Sequence, residues 1–224
     1  MTDLIDTTEM YLKAILELEE EGIIAMRARI AERLDHSGPT VSQTVARMER
    51  DGLLRLSDDK HLEFTAEGRH MAIEVMRKHR LAERLLLEVI GLEWELVHEE
   101  ACRWEHVMSE AVERKIIGLL SDHSISPFGI PVPGLELLGL EPAKPGACRP
   151  ISDVEAGDFR LSRIGEPIQV DTELLSQLKE LSLLPGNDVV ITKLESGWLL
   201  ASEKQDQGLV VDEKLAAHLF VETK

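Results

Sequence analysis

Cysteine is nearly absent from this chain of 224 residues, with only Cys102 and Cys148 present. Two cysteines cannot build a disulfide framework, and their scarcity fits a reducing cytoplasm. Long apolar runs are missing as well. Stretches such as Leu85-Leu86-Leu87 and Ile116-Ile117 fall far short of the roughly 20 apolar residues that a membrane-spanning helix needs. Met1 to Asp6 holds two acids and no basic residue, which argues against a secretory signal. Positive charge is in deficit, since 25 Lys and Arg face 42 Asp and Glu for a formal balance of -17. Bulk charge of that sign excludes a protein that coats nucleic acid or an anionic membrane, though not one with a local basic patch. Aromatics are scarce at 4%, yet hydrophobic residues at 43% still provide for a core. The length suits two or three modest domains, and there is no internal repeat or low-complexity tract. These exclusions leave a soluble, intracellular, globular chain.

What is present begins as helix. Asp6-Thr7-Thr8-Glu9 supplies capping residues for a helix reaching Glu20, with Tyr11, Leu12, Ile15, Leu16 and Leu18 on its apolar side. A second helix fits Arg27 to Leu34, and a third runs from about Ser37 to Asp51-Gly52. Leu53 to Leu56, the polar turn Ser57-Asp58-Asp59-Lys60, and Leu62-Glu63-Phe64 read as a short hairpin. Thr65 opens a long helix towards Ile90 that Gly91 stops, and a further single helix is expected from Trp94 to Leu120. Six prolines then fall between Ser126 and Pro150, the mark of a linker or an irregular connection. Beyond it, Val189 to Thr192, Trp198 to Leu200 and Gly208 to Val211 are β-like runs between turn signals. The chain is thus mainly α with a β C-terminal part.

Arg27 to Arg50 has helix-turn-helix spacing. Ile30, Ala31 and Leu34 face inward, Gly38 permits a tight turn, and Pro39 suits a first helical turn where a missing N–H costs little. Val41, Val45 and Met48 form one buried stripe of the third helix, opposite Thr40, Ser42, Gln43, Thr44, Arg47 and Arg50. Those polar groups suit base edges and phosphates of a major groove. A solvated face is the plainer reading of any helical hairpin. The hairpin that follows, with Lys60 at its tip, favours a winged DNA reader instead. Local charge agrees: residues 22–56 hold six arginines (27, 29, 33, 47, 50, 55) against four acids (32, 35, 49, 51), a net of +2.

A second pattern carries ligand chemistry. His98, Cys102, Glu105 and His106 stand at i, i+4, i+7 and i+8, on one face of the expected helix, and His79 and Glu83 stand at i, i+4 on the preceding one. Imidazole, thiolate and carboxylate are the side chains that bind divalent first-row metals. Taken singly, the cysteine reads as core, the histidines as hydrogen-bonded, and the glutamates as partners of Arg80, Arg84 or Arg103. Six on two facing stripes favour metal. Cys102 and His106 could mimic a nucleophile and base, but no phosphate-binding glycine loop or oxyanion motif accompanies them, so a metal-dependent enzyme is the weaker alternative.

At these residues the chain resembles the diphtheria toxin repressor family of iron-dependent regulators. The likeness rests on Asp6 to Leu12, Arg27 to Leu53, Met76 to Leu86, His98 to Met108 and Ser126-Pro127-Phe128-Gly129, and is strong from residue 1 to about 140. The resemblance implies a winged helix-turn-helix domain (1–74), a helical metal-binding and dimerisation domain (75–140), a Pro/Gly-rich linker (141–150) and an SH3-like β-barrel domain (151–224). It implies two Fe(II) per chain, with Co(II), Ni(II) or Mn(II) as substitutes. The primary site would use Met10, Cys102, Glu105 and His106. The ancillary site would use His79, Glu83 and His98, completed by Glu166 and Gln169 of a Glu-x-x-Gln pattern. The thioether of Met10 is soft and suits Fe(II) better than Mn(II), whereas manganese-selective relatives tend to carry an acid there. A manganese-responsive regulator of the same architecture is the nearest alternative. The implied partner is a palindromic double-stranded operator bound by a homodimer, one or two dimers per operator, with no membrane and no enzymatic step. Thr7, Arg27, Ala28, Arg29, Ser37, Pro39, Thr40, Ser42, Gln43, Arg47, Arg50 and Lys60 would meet the DNA.

Overall fold

The computed structural model describes residues 6–144, 146–202 and 207–224. The first five residues, read above for a signal, and Pro145 of the expected linker lie outside them. Helix α1 (Thr7–Glu20) starts at Asp6, whose carboxylate accepts from the backbone N–H groups of Thr8 and Glu9 at 2.7 and 3.3 Å. α2 (Arg27–Leu34) and α3 (Gly38–Arg50) follow, as the helix-turn-helix spacing requires. Asp35 turns the chain between them in the left-handed region (φ 51°), and the Ser37 hydroxyl caps α3. Val41, Val45 and Met48 are fully buried, which confirms the inward stripe. Strands β1 (Leu54–Leu56) and β2 (Leu62–Phe64) pair antiparallel as the wing. These elements share one core built on Tyr11, Ile15, Ile30, Met48, Leu54 and Met76.

The long helix α4 (Ala66–Leu85) is capped by Thr65, and a π turn over Leu86–Ile90 ends it at Gly91, where φ is 79°. Gly68 in its first turn is obligatory, because a Cβ there would stand 1.9 Å from the Leu53 carbonyl oxygen. α4 therefore lies directly against the wing and then continues into the second core, so the expected partition at 74/75 falls inside one helix. The single helix expected from Trp94 to Leu120 is not formed. A 3₁₀ turn (Trp94–Leu96) leads into α5 (Val97–Trp104), and α6 (Glu110–Ile117) is separate. The N–H groups of Val107 and Met108 both return to the Trp104 carbonyl, and Ser109 becomes extended (φ -85°, ψ 157°). That interrupts the i, i+4 ladder just where Glu105 and His106 stand.

Residues 126–140 are irregular but packed, with Phe128, Ile130, Val132 and Leu135 buried. Beyond them comes a six-stranded antiparallel sheet in the order β3-β8-β4-β5-β6-β7. Its strands are β3 (Arg149–Pro150), β4 (Gly157–Ile164), β5 (Asp188–Leu194), β6 (Gly197–Ser202), β7 (Gly208–Val211) and β8 (Leu219–Thr223). Three short helices interrupt it: α7 (Glu166–Gln169), α8 (Thr172–Glu180) and α9 (Glu213–Ala216). The three β runs read from sequence are β5, β6 and β7. The central β4 carries charged residues between apolar ones, and β8 offers only the short apolar run Leu219-Phe220-Val221; neither gave such a signal. One continuous core joins Leu81, Trp94, Phe128 and Leu135 to Leu161, Ile168 and Val221. Ile164 donates its N–H to the Phe128 carbonyl at 2.9 Å, so the β domain is docked on the helices rather than hung from them. Among the described residues no helix is long and apolar enough to cross a membrane.

Candidate metal centre

Residues of α1, α2, α5 and α7 line a crevice of about 780 Å³, and a buried side-chain cluster from α4 and α5 adjoins it at His98 and Cys102. α4 contributes His79 and Glu83 from adjacent turns, and α5 contributes His98 and Cys102 in the same way. His79 is held from both sides: Nε2 is 2.9 Å from Glu83 Oε1 and Nδ1 is 2.6 Å from Glu105 Oε2. His98 Nδ1 lies between Glu83 Oε1 (3.3 Å) and Glu166 Oε2 (3.5 Å), so α7 reaches the cluster from the β domain. Cys102 Sγ stands 3.7 Å from His98 Nε2 and 4.0 Å from His79 Nδ1. One ligand atom each from His79, His98 and Cys102 fit within 4.8 Å of one another. His106, past the end of α5, places Nδ1 2.6 Å from Glu9 Oε2 on α1 and Nε2 3.4 Å from Glu105 Oε1. Met10 lines the same crevice beside Cys102, Glu105 and His106. Gln169 donates to the Ile164 carbonyl at 2.8 Å, while its Oε1 is buried with no protein partner, an acceptor without a donor.

Burial governs the electrostatics. It opposes ionisation of the Cys102 thiol, but the Lys13 and His79 charges overcome it and bring the thiol down to about 5. Burial likewise opposes Glu105, which Lys13 and His79 hold at about 2, and Glu83, which His79 and His98 hold at about 2. His98 is raised to about 10 against its own burial, chiefly by Glu166 and Cys102. A thiolate, ionised carboxylates, imidazoles and an unpartnered amide oxygen form a donor set that fits a divalent first-row ion.

The structure brings His79, Glu83, His98, Cys102, Glu105 and Glu166 into one network, with His106 and Met10 at its edge. The arginine pairs considered for Glu83 and Glu105 do not form. Arg80 binds Glu20 and the Pro131 carbonyl, Arg84 faces Asp122, and Arg103 binds Glu99 and Glu100. Sequence reasoning missed Lys13, whose Nζ sits at the centre of the network 3.0 Å from Glu105 Oε2. The available signal was a lysine inside the apolar run Tyr11 to Leu16, on the α1 face that also carries Met10.

In the first domain, Pro39, Thr40, Gln43, Arg47 and Arg50 are exposed on α3 and its first turn, with Ser42 half-buried. Ser37, Ala28 and Arg29 are exposed beside them, Thr7 stands at the start of α1, and Lys60 tips the wing. Arg47 donates to the Thr8 hydroxyl at 3.4 Å. Half-buried Arg27 leaves its Nε without a protein partner. Arg33 does not belong to this face. It pins α2 to α1 through Glu17 (3.3 Å) and Glu21 (2.7 Å), so its charge drops out of the local basic patch.

Comparison with known proteins agrees with this arrangement. Residues 3–62 match the N-terminal DNA-binding domain of iron-dependent repressors, and residues 65–134 match their metal-binding and dimerisation domain. The iron-dependent repressor IdeR of Mycobacterium tuberculosis is 50% identical over 229 residues, 99% of each chain. The diphtheria toxin repressor of Corynebacterium diphtheriae is 51% identical over 217 residues, 95% of this chain and 96% of that one. The crystal structure of IdeR from T. acidophilum superposes with a TM-score of 0.77 at 26% identity over 98% of this chain and 99% of that one. A winged helix-turn-helix, a metal-type donor cluster and likeness along the whole chain place this protein in the family of iron-dependent repressors, which are metal-dependent transcriptional regulators.

Proposed function

We propose that this chain represses transcription when Fe(II) is bound at two sites per chain, reading palindromic operators as a homodimer in the cytoplasm. The primary site comprises Met10, Cys102, Glu105 and His106. The ancillary site comprises His79, Glu83, His98, Glu166 and Gln169. The observation that carries this reading is convergence: Met10 on α1, Cys102 on α5, and Glu105 and His106 after α5 line one crevice, although α1 belongs to the reading head and α5 does not. A bound divalent ion supplies a shared electron-pair acceptor for donors from both units. Met10 and Glu9 then hold the start of α1 against α5, Glu105 and Glu83 orient His79, and Glu166 with Gln169 tie the β domain to His98. The conformation so held carries α3 in register with a major groove, and the coupling is reciprocal, since operator must tighten metal by the factor that metal tightens operator.

Exposed apolar side chains at Val89, Ile90, Leu96, Val107, Val112 and Leu119 in the helical unit support a homodimer built on that segment. The domain partition follows as 1–74, 75–140, 141–150 and 151–224, with α4 as the shared strut. The test is anaerobic binding to an operator selected from random DNA, titrated with Fe(II), Mn(II) or chelator. Binding should require metal and respond at lower Fe(II) than Mn(II). Equal binding in chelator would refute a metal-dependent repressor, and response at lower Mn(II) would make it a manganese regulator.

Within the reading head, Gln43 is assigned to a base edge, with Ser37, Pro39, Thr40 and Ser42 at bases or thymine methyls. Arg27, Arg29, Arg47, Arg50 and Lys60 hold phosphates, and Thr7 and Ala28 flank them. Gln43→Ala should cost about 1–3 kcal/mol on the specific site and relax preference at one base pair. Arg50→Ala should weaken all sequences alike and flatten the salt dependence by about one unit of slope. Identical behaviour of the two variants in a salt-series binding assay would contradict this division.

A further inference from the structure

Lys13 is the unexplained occupant of the cluster. It lies on α1 three residues after Met10, and its side chain is only 7% exposed. Nζ is bracketed by Glu105 Oε2 at 3.0 Å, His79 Nδ1 at 3.0 Å and Cys102 Sγ at 3.5 Å. A carboxylate oxygen, an imidazole nitrogen and a thiolate sulfur are the shell a first-row divalent ion selects, here held at ammonium distances rather than at the roughly 2.0–2.3 Å of coordination. The surroundings explain why a cation is required. Glu83, Glu105 and Glu166 are nearly inaccessible, Glu17 is buried one turn along α1, and Cys102 adds a thiolate. Buried anions without a counter-charge are strongly unfavourable.

We propose that Lys13 is a resident counter-cation of the metal-free site, and that metal binding is an ion exchange in which the Lys13 ammonium leaves Glu105 and Cys102 and withdraws from His79. This rests on the metal reading given above. Lys13 keeps its charge throughout, and only its position changes, from the cluster into the crevice that its own side chain lines. Two consequences follow from placing the competing cation on the same face of α1 as Met10. The donors stay gathered in the metal-free protein, because the ammonium substitutes for part of the missing charge. Metal must also outcompete a tethered cation, so affinity is weaker than the donor set alone would give and the metal concentration at which the protein responds is set higher.

The test uses the full-length protein and Co(II) under anaerobic conditions, read by the thiolate-to-cobalt charge-transfer band and by thermal unfolding. Lys13→Met removes the charge at nearly constant length, and Lys13→Gln retains a donor should the first variant fold poorly. Both should bind Co(II) about ten- to a hundredfold more tightly than wild type, the range by which groups touching metal ligands tune affinity. Both should also melt at lower temperature than wild type in chelator and close to wild type when loaded, since one free-energy difference appears in both readouts. Unchanged or weaker Co(II) binding by the folded variants would overturn the exchange while leaving the metal site intact. If wild type gives no thiolate-to-cobalt band, the metal reading fails, and the exchange with it.

Discussion

Replacing Glu113 with Ala should destabilise the protein by about 3–5 kcal/mol, the effect of stranding one partner of a buried ion pair. Arg77 on α4 and Glu113 on α6 are 1% and 0% exposed, and they meet as a fork, Nε to Oε1 at 2.9 Å and Nη2 to Oε2 at 3.3 Å. The remaining arm of Arg77 donates to the Gly134 carbonyl at 3.2 Å, so one guanidinium pins α4, α6 and the irregular 126–140 segment together. Without Glu113 the buried guanidinium keeps only the partly exposed Glu74, 3.9 Å from Nη2, as an anion. Reversible denaturation in urea should show the loss as a lower midpoint at unchanged slope. Arg77→Met combined with Glu113→Leu should recover most of it, because a matched apolar pair no longer desolvates charge. A single-variant loss below about 1 kcal/mol would mean that the pair behaves like a solvated surface bridge.

Such pairs mark the boundary of what sequence alone reveals. Thr65, Gly91, Ser37 and the Val41-Val45-Met48 stripe were legible because caps and i, i+4 faces are set by neighbours in the chain. The same holds for His79 with Glu83 and for His98 with Cys102. The break after Trp104 was not legible, because residues 105 to 109 continue a helical pattern, and the partner that holds α6 beyond the break, Arg77, lies 36 residues from Glu113. Arg33 counted towards the local positive charge of the basic segment, yet Glu17 and Glu21 claim it. Lys13 could be seen as an anomaly in an apolar stripe, but its partners lie 66 and 92 residues away, and only the fold brings them to it. Strands β4 and β8 escaped notice for other reasons: β4 mixes charged residues with apolar ones, and the apolar run of β8 is only three residues long.

The charge deficit of the sequence takes on a different meaning once its acids are located. Glu17 and Glu21 neutralise Arg33, Glu20 neutralises Arg80, and Glu113 neutralises Arg77. Glu83, Glu105 and Glu166 surround the histidines and Lys13. These seven of the 42 acids are therefore paired or poised for a cation and add no repulsive field over α3. The exposed arginines of the reading head can meet phosphate while the chain as a whole stays too acidic to hold random DNA well.

Met10→Ala should abolish metal-dependent operator binding and leave the fold standing, the reverse of the behaviour expected when Lys13 loses its charge. Met10 is half-buried, packing on the edge of the first core as well as lining the crevice, so its truncation should cost about 1–2 kcal/mol of stability and leave the fold formed. As a ligand it has no substitute on α1. Its neighbours on that face are Lys13, a competing cation, and Glu9, which already holds His106 at 2.6 Å. Loss of the thioether should lower metal affinity by at least the roughly 10–100-fold seen when groups supporting a metal site are removed. Without a donor from the reading head, metal that still binds among α4 and α5 no longer distinguishes the two positions of α1, and a ligand with equal affinity for both states shifts neither. Operator affinity in saturating Fe(II) should then fall to the level measured in chelator, with the circular dichroism spectrum unchanged. Wild-type operator affinity in a folded Met10→Ala protein would show that α1 is not tied through the metal. The opposite signs expected for Met10 and Lys13, one turn apart on a single helix face, make the pair a sharper test of that linkage than either variant alone.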